Sequence, residues 1–202
     1  MRILYHHRTR STDAQRIHIL EMVKAFQSLG HEVEMVSLIP IDAGMEDAAR
    51  DAGDATWKKL VRRIPFSYDL VQLGYNLVGI PMLLAACFRK RVDFIYERYS
   101  LWSYAGMQYA RKSGVPGLLE VNAPLIEEQA TYRTLVDRAG AERVADRVFG
   151  AATALIAVSQ EVADYLDQYP AARGRIYVIP NGVDPDRFPE KLSPSRPGEP
   201  PA

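Results

Sequence analysis

Runs of apolar and β-branched residues alternate along the chain with longer segments in which apolar residues recur every three or four positions. The runs predict six buried strands, at residues 3–6, 32–38, 93–97, 117–122, 154–158 and 176–179. An amphipathic helix that stops at Gly30 is predicted between the first two strands, and further helices are predicted at residues 101–112, 125–149 and 161–168. Strands that alternate with helices are typical of a parallel α/β sheet.

The segment 70–88 contains no charged residue, so its length approaches that of a membrane-spanning helix. Polar residues and glycines interrupt it, however, and Pro81 is expected to break a continuous helix. We therefore predict two helical pieces that pack on the sheet rather than a membrane span. Cys87 lies in this segment among apolar neighbours, which indicates a packed thiol.

The composition changes abruptly after Phe188, where Pro, Ser, Gly and charged residues dominate. This change predicts one domain over residues 1–188, followed by a disordered tail or interdomain linker over residues 189–202. The 25 Lys and Arg residues balance the 25 Asp and Glu residues, so no overall charge indicates a nucleic-acid partner. One cysteine excludes an intrachain disulfide, and the short N-terminal apolar run is no signal peptide, which predicts a cytoplasmic protein.

Polar residues follow directly after all of the predicted strands. In an open parallel sheet, ligands bind at the carboxyl ends of the strands. These positions carry His6, His7, Arg8, Ser37, Glu97, Arg98, Asn122, Ser159 and Asn181. Together they predict a crevice at this edge of the sheet without identifying its ligand.

Known signatures for cofactor and nucleophile chemistry are missing from the sequence. Neither a Gly-x-Gly-x-x-Gly dinucleotide motif nor a P-loop is present, and Ser159 lacks the Gly-x-Ser-x-Gly setting of a nucleophile. His6, His7, His18 and Asp13 are the conceivable metal ligands, but one strand end and one helical turn seldom supply a complete set. We therefore expect neither a metal ion nor a cofactor.

The most specific string is Val-Ile-Pro-Asn-Gly-Val-Asp-Pro-Asp-Arg-Phe at residues 178–188. From the residues alone it is a strand, a turn in which Gly182 is free to take a positive φ, and a short capped helix. As a string it resembles the interdomain hinge of the retaining GT-B glycosyltransferases of family 4, with Asn181, Gly182 and Asp184 as the hinge residues. Residues 29–33, 93–98 and 151–159 resemble that family in the same order.

The resemblance implies a doubly wound, mostly parallel Rossmann-like α/β sheet of six or seven strands with helices on both faces, as in the N-terminal half of a GT-B enzyme. It also implies hexosyl transfer, with retention, from a nucleotide-sugar donor to a hydroxyl acceptor that is a glycan or lipid-linked, as in polysaccharide biosynthesis. In this family a second domain carries the donor pocket, and nothing after Asp184 can form it. We therefore expect this chain to be the acceptor-binding half, inactive by itself, with a partner chain as one source of the donor site.

The first loop and the fourth strand depart from the family pattern. Residues 9–18 contain no glycine where the family usually has a Gly-Gly loop. There Asp13 is either a helix cap or, together with Gln15 and His18, a contact for the acceptor. The family's histidine after the fourth strand corresponds to Asn122, whose amide can hold a sugar hydroxyl but cannot shuttle protons near neutral pH.

No residue is a certain catalytic group, and the candidates are Asn122 and Glu127. Glu127 either orients the acceptor hydroxyl or serves as a charge near a helix N-terminus. The residues that the resemblance and the strand ends together assign to the substrate are Asp13, Gln15, His18, Glu97, Arg98, Asn122, Glu127, Ser159 and Asn181.

Residues 57–66 form a basic amphipathic pattern, in which Trp57 begins the apolar side and the opposite side carries Lys58, Lys59, Arg62 and Arg63. The pattern fits an ordinary surface helix or a helix that lies on anionic lipid at the inner face of the plasma membrane. Two other function classes stay open at this stage. One is a non-catalytic membrane-attached or scaffold subunit whose partner carries the donor site, and the other is an unrelated nucleotide-binding Rossmann-type enzyme.

Overall fold

Every strand predicted from the sequence is present in the computed structural model of the chain, which describes residues 1–8, 14–37, 67–132 and 135–182. The strands are β1 (Arg2–His7), β2 (Glu32–Ser37), β3 (Phe94–Arg98), β4 (Gly117–Val121), β5 (Ala154–Ala157) and β6 (Ile176–Val178). The helices are α1 (Ala14–Ser28), α2 (Ser67–Arg89), α3 (Ala105–Ser113), α4 (Leu125–Tyr132), α5 (Arg138–Ala151) and α6 (Gln160–Asp167).

The six strands form one parallel sheet in the order β2-β1-β3-β4-β5-β6. The chain runs from β1 outwards to β2, crosses over to β3, and then continues in the other direction. The order therefore reverses at β1, and in a doubly wound sheet this reversal opens a crevice at the carboxyl ends of the flanking strands. The predicted Rossmann-like α/β architecture is confirmed.

Alternating strand residues bury two separate apolar layers, because successive side chains of a strand point to opposite faces. On one face Ile3, Tyr5 and Tyr96 pack against Ile19 and Val23 of α1. On the other face a larger core joins the strands to helices α2 to α6, through residues that include Leu4, Ile95, Leu119, Leu155, Leu83, Met107, Ile126, Phe149 and Leu166. Helices thus cover both faces, with α1 alone on one side among the described residues.

The helix-to-strand connection after α1 has the geometry that the sequence predicts. Gly30 has a φ of 81°, the left-handed region in which a side chain is disfavoured. Its N–H donates to the Gln27 carbonyl over 2.9 Å, and the His31 N–H donates to the Phe26 carbonyl over 3.1 Å. These two bonds are the Schellman motif, which ends a helix by satisfying its last carbonyl groups.

The segment 70–88 is one helix and not two, so the predicted break at Pro81 is wrong. A proline inside a helix removes one hydrogen bond. Here Leu73 packs against the core before that position, and Leu83 and Ala86 pack into the core after it, so the helix is held on both sides. By length and composition the stretch Asp69–Arg89 is also sufficient to cross a membrane. Cys87 is half-buried, and burial raises the pKa of its thiol.

The single helix predicted for residues 125–149 is instead two, α4 and α5. Asp137 begins α5 as its N-cap, and its side chain accepts a hydrogen bond from the Gly140 N–H over 2.7 Å. An N-cap residue has non-helical backbone angles and so separates two helices. Because the spacing of apolar residues can continue across such a cap, the apolar periodicity did not predict this boundary.

The side chain of Asn76 fastens α2 to the loop that follows β3. Its amide nitrogen donates to the carbonyls of Leu73 and Trp102, each over 2.8 Å, and its oxygen accepts from the N–H groups of Tyr104 and Ala105 over 2.9 and 3.1 Å. Trp102 has a φ of 67°, a strained backbone conformation for a residue with a side chain. Asn76 is buried, so these bonds hold the strained loop in a site that water does not reach.

We expect Asn76→Ala to lower the free energy of unfolding by about 3 kcal/mol, because it leaves backbone groups without partners in a buried site. Urea denaturation at neutral pH measures the change. Gln160→Ala is the control, since it removes a hydrogen bond of 2.8 Å to Asp164 that is exposed. A loss for Asn76→Ala that is no larger than the control's would contradict the anchoring role.

Candidate functional site

Buried charged residues cluster at the carboxyl ends of β1, β3 and β4, on the strands around the reversal in strand order. They are His6, Glu97, Arg98 and Glu120. A charged group is costly to bury unless hydrogen bonds and an opposite charge compensate for the lost water. A cluster of this kind in a sheet that is otherwise apolar marks the candidate site.

Glu120 is the centre of the cluster and lies on β4 with its side chain on the α1 face. One carboxylate oxygen accepts from Arg98 Nη1 over 2.7 Å and lies 2.9 Å from His18 Nε2. The same oxygen also accepts from the amide of Asn122. The other oxygen accepts from the Tyr96 hydroxyl over 2.7 Å. Groups from α1, β3 and the loop after β4 therefore converge on one carboxylate.

These contacts keep Glu120 ionised. Burial by itself acts to raise the pKa of the carboxyl group, but the hydrogen bonds from His18, Asn122 and Tyr96 and the charge of His18 outweigh it. The pKa of Glu120 is lowered to about 2 as a result. Burial and the Glu120 charge raise the pKa of the Tyr96 hydroxyl, so Tyr96 stays a hydrogen-bond donor at neutral pH.

A second carboxylate, Glu97, belongs to β3 and lies on the α3 face of the sheet. Its Oε1 is 3.1 Å from His6 Nδ1 and accepts from the Ser103 hydroxyl over 3.3 Å. The carboxylate also lies against the first turn of α3, where Gly106 permits the approach. A Cβ atom added to Gly106 would lie 2.8 Å from Glu97 Cδ and 3.1 Å from His6 Nδ1, so only glycine fits here without displacing the pair.

The end of β1 adds an uncharged histidine and an arginine. Burial, the charge of His6 and the charge of Arg98 lower the pKa of His7 to about 4, so His7 is neutral at pH 7. Arg8 donates a hydrogen bond to Gln72 of α2, and its guanidinium lies 4.7 Å from the ring centroid of Tyr75. The start of α2 therefore borders the same edge of the sheet.

The structure brings three of the predicted substrate residues together, places Glu97 on the opposite face of the sheet, and separates the others. His18, Arg98 and Asn122 meet at Glu120, and Glu97 lies in the adjacent His6 pair. Gln15 is exposed at the start of α1. Asp13, Asp184 and the basic residues Lys58, Lys59, Arg62 and Arg63, with Trp57, lie outside the described residues.

The other candidates have structural partners of their own. Glu127, in the first turn of α4, is half-exposed and pairs with Arg138. Ser159 caps α6, and its hydroxyl accepts from the Val162 N–H over 3.3 Å. Asn181 is exposed after β6. The two catalytic candidates, Asn122 and Glu127, are thus engaged in different contacts.

Gly182 does not take the positive φ that the sequence leaves open to it. Its backbone lies outside the left-handed region, which among the described glycines contains Gly30, Gly114 and Gly174. No atom lies within 4 Å of a Cβ atom added to Gly182, so a side chain would fit there. The turn after β6 therefore does not depend on the conformational freedom of glycine.

The substrate assignment from sequence did not include Glu120 and Tyr96, nor the residues His6, His7 and Arg8 at the end of β1. Glu120 is the only charged residue within β4, whose sequence is otherwise apolar, and this isolated charge is the signal that could have found it. Within the described residues, no group of three His, Cys, Asp or Glu side chains stands in an arrangement that could hold a metal ion.

Comparison with known proteins places this arrangement in a family. A family model described as Glycosyltransferase Family 4 matches residues 15–187, which is most of the chain. No curated protein matches the chain.

Two solved structures have a similar fold. HepE from Anabaena, solved in complex with UDP, is 15% identical and has a TM-score of 0.54, over 92% of this chain and 45% of HepE. MurG from Acinetobacter baumannii is 13% identical and has a TM-score of 0.46, over 91% of this chain and 47% of MurG. At this identity the likeness to HepE shows the fold alone. The chain spans less than half of the length of both structures.

The Glu120 contacts predict a specific dependence of stability on pH. The folded state has a pKa of about 2 against an ordinary value of 4.5, so Glu120 contributes stability above pH 4.5 that is lost as the pH falls towards 2. At about 1.4 kcal/mol for each pKa unit, the contribution at neutral pH is roughly 3 kcal/mol.

We expect Glu120→Gln to be much less stable than the wild type at pH 7, with a difference that shrinks between pH 4.5 and 2. Urea denaturation across this pH range measures the difference. Glu127→Gln, which alters an exposed carboxylate, should show the same dependence of the free energy of unfolding on pH as the wild type. If the free energy of unfolding of Glu120→Gln also has the pH dependence of the wild type, the Glu120 carboxylate is not held ionised by its neighbours.

We expect Gly106→Ala to lower the free energy of unfolding by about 1–3 kcal/mol, because the new methyl group must displace the buried Glu97 carboxylate. Gly74→Ala in the middle of α2 is the matched control. No atom lies within 4 Å of its added Cβ atom, so the substitution should stabilise the chain by about 0.5–1 kcal/mol. Thermal unfolding of both variants measures the difference. Equal shifts in the melting temperature would show that Glu97 does not require the absence of a side chain at Gly106.

Proposed function

The chain belongs to glycosyltransferase family 4, and we propose that it forms the acceptor-side half of an enzyme that transfers a hexosyl group from a nucleotide sugar to a hydroxyl acceptor with retention. The observation that carries this proposal is the convergence of His18, Arg98 and Asn122 on the ionised Glu120 at the carboxyl edge of the sheet. A set of polar groups held rigidly at such an edge is suited to bind a sugar or polyol.

The Glu120 carboxylate determines which atoms remain for the acceptor. An ionised carboxylate only accepts hydrogen bonds, so His18 carries its proton on Nε2 when the imidazole is neutral. Nδ1 of His18 and the amide oxygen of Asn122 are then the acceptors that can hold a substrate hydroxyl. Both side chains are partly exposed, while the carboxylate beneath them is buried.

In the proposed reaction the acceptor oxygen forms a bond to the anomeric carbon while the bond from that carbon to the diphosphate breaks, and the hydroxyl proton leaves with the diphosphate. His18 and Asn122 orient the attacking hydroxyl, which lowers the entropic part of the barrier. Stabilisation of the departing diphosphate would come from the half of the enzyme that this chain does not represent.

The UDP bound in HepE supports a nucleotide sugar as the donor. Because the chain spans 45% of HepE, we propose that the nucleotide is held mainly by a donor half, which a partner chain or a further segment would provide. We propose no resident cofactor, since the sequence contains no glycine-rich dinucleotide motif.

We also propose that the protein acts at the cytoplasmic face of the plasma membrane as a peripheral protein of polysaccharide biosynthesis. The basic amphipathic pattern of residues 57–66, which lies outside the described residues, supports a contact with anionic lipid. A glycan or lipid-linked acceptor would be accessible from this location.

One binding measurement and one activity measurement on the purified 202-residue chain test the proposal. We expect UDP to show no saturable binding in calorimetry and a UDP-sugar to show no turnover, because the acceptor-side half binds the nucleotide poorly by itself. Micromolar UDP binding by the chain would overturn the acceptor-side assignment and favour a nucleotide-binding enzyme of another kind.

An array of immobilised glycans and polyprenyl-linked sugars should yield at least one acceptor that the chain retains. We expect His18→Ala and Asn122→Ala to weaken that binding about tenfold each, the usual effect of losing one hydrogen bond in a site. Glu127→Gln is the control and should bind as the wild type does. Acceptor binding that both alanine variants preserve would place the acceptor elsewhere on the domain.

A further inference from the structure

Helix α2 buries its few polar residues together with part of its apolar residues and turns a further apolar side to solvent. Between Asp69 and Arg89 it carries no charged residue. The buried or half-buried positions on the protein side include its polar residues Gln72 and Asn76. The solvent side presents a continuous apolar surface, which we call the α2 stripe, formed by Leu70, Val71, Leu77, Val78, Ile80, Pro81, Leu84 and Phe88.

The spacing of the α2 stripe shows that it is one surface. Leu70, Leu77 and Leu84 are seven residues apart, which returns them to almost the same angle around the helix. Leu77 is 76% exposed and Phe88 is 94% exposed, values that are high for large apolar side chains. At 1.5 Å for each residue, the stripe is about 27 Å long. Soluble monomers seldom expose an apolar surface of this extent, and such surfaces mark binding sites.

The helix cannot leave the domain to cross a bilayer, because its other side is fastened to the protein. Asn76 makes its four buried hydrogen bonds there, and the Asp69 carboxylate accepts from the N–H groups of Val136 and Asp137 over 3.3 and 3.0 Å. Leu83 and Ala86 belong to the main core. A partner must therefore approach the stripe from the side.

The charges at the two ends of the stripe identify the partner. Arg89, Lys90 and Arg91 follow Phe88 directly and are all exposed. Lys90 pairs with Glu32 over 3.0 Å, and no ion pair is found for Arg89 or Arg91 among the described residues. An apolar face that ends in uncompensated cations is complementary to a bilayer with anionic headgroups.

A second copy of the chain fits the stripe less well. In a two-fold symmetric contact with antiparallel helices, the basic end of one copy would meet the Leu70 end of the other. Among the described residues, the acids near that end are Asp69, which is buried and already accepts two backbone hydrogen bonds, and Asp137, whose carboxylate caps α5. The cations would then lose water without gaining a partner.

We propose that the α2 stripe is a membrane-docking surface, with its apolar side chains in the boundary between headgroups and acyl chains and with Arg89 and Arg91 on lipid phosphates. The proposal is independent of the proposed transferase activity. Gln72 and Tyr75 of the same helix contact Arg8 at the end of β1, so the docked helix would place the β1 end of the candidate site towards the bilayer.

Vesicle flotation of the 202-residue chain tests this surface, with vesicles of phosphatidylcholine alone and of phosphatidylcholine mixed with phosphatidylglycerol. We expect the wild type to float with the anionic vesicles at low salt. The triple variant Leu77→Gln, Leu84→Gln, Phe88→Gln should partition at least ~10-fold less into the vesicles, since each substitution removes apolar surface that the bilayer would bury. In a background in which Lys58, Lys59, Arg62 and Arg63 are changed to Ser, Arg89→Ser with Arg91→Ser should lose the preference for anionic vesicles and its sensitivity to salt.

Ile17→Gln with Leu29→Gln is the matched control, because it removes two exposed apolar side chains from α1 and from the turn that follows it, on the other face of the sheet. It should float as the wild type does. Urea denaturation of each variant shows that the stripe substitutions leave the fold intact. A stripe variant that floats like the wild type, or a wild type that does not float with anionic vesicles at low salt, overturns the proposal.

A second measurement locates the contact directly. Leu77→Cys in a Cys87→Ser background places the only thiol on the stripe, where an environment-sensitive fluorophore should shift to the blue when anionic vesicles are added. Light scattering without lipid tests the other possible occupant of the α2 stripe, which is a second copy of the chain. A dimer that the triple variant converts to a monomer would assign the stripe to a second copy and reject the membrane.

Discussion

The buried carboxylate of Glu120 is the interaction on which the candidate site depends. It is the single acceptor for groups from α1, β3 and the loop after β4, and it remains ionised because those groups outweigh its burial. Without it, Arg98 would be a buried cation with no compensating charge, which is a costly arrangement. The same contact fixes the ring of His18 and the amide of Asn122, so the geometry of these partly exposed groups is determined by a carboxylate that is itself buried.

A second constraint is the close approach of α3 to the sheet. Glu97 and His6 fit beneath the first turn of α3 because Gly106 has no side chain. The loop before that turn contains Trp102 in a left-handed conformation, and Asn76 satisfies its backbone from α2. The position of α2 and the position of the site are therefore coupled through one asparagine, since both depend on the conformation of this loop.

The four inner strands could be predicted from the sequence because parallel strands buried on both faces are largely apolar runs. The end of α1 could be predicted because Gly30 is suited to the left-handed conformation that ends a helix. The errors occurred where tertiary contacts override local rules. Pro81 is accommodated because core packing holds α2 on both sides of it. Gly182 is in an ordinary conformation because its turn does not require a positive φ. His18, Arg98 and Asn122 could be found as polar residues near strand ends, but their common partner could not, because Glu120 belongs to the strand pattern itself.

The presence of polar residues on the buried side of α2 and of apolar residues on its exposed side follows from the same principle of satisfied burial. Inside the domain, Asn76 and Asp69 are tolerated because backbone groups of the neighbouring loops supply their hydrogen bonds. Outside, Leu77, Leu84 and Phe88 gain nothing from water, and their exposure is a cost that the isolated domain does not offset. A bilayer removes that cost without disturbing the hydrogen bonds that fasten the helix. Because the first turns of α2 contact Arg8 beside the candidate site, one rigid helix would then set both the depth of the domain in the membrane and the distance from the bilayer to the acceptor groups.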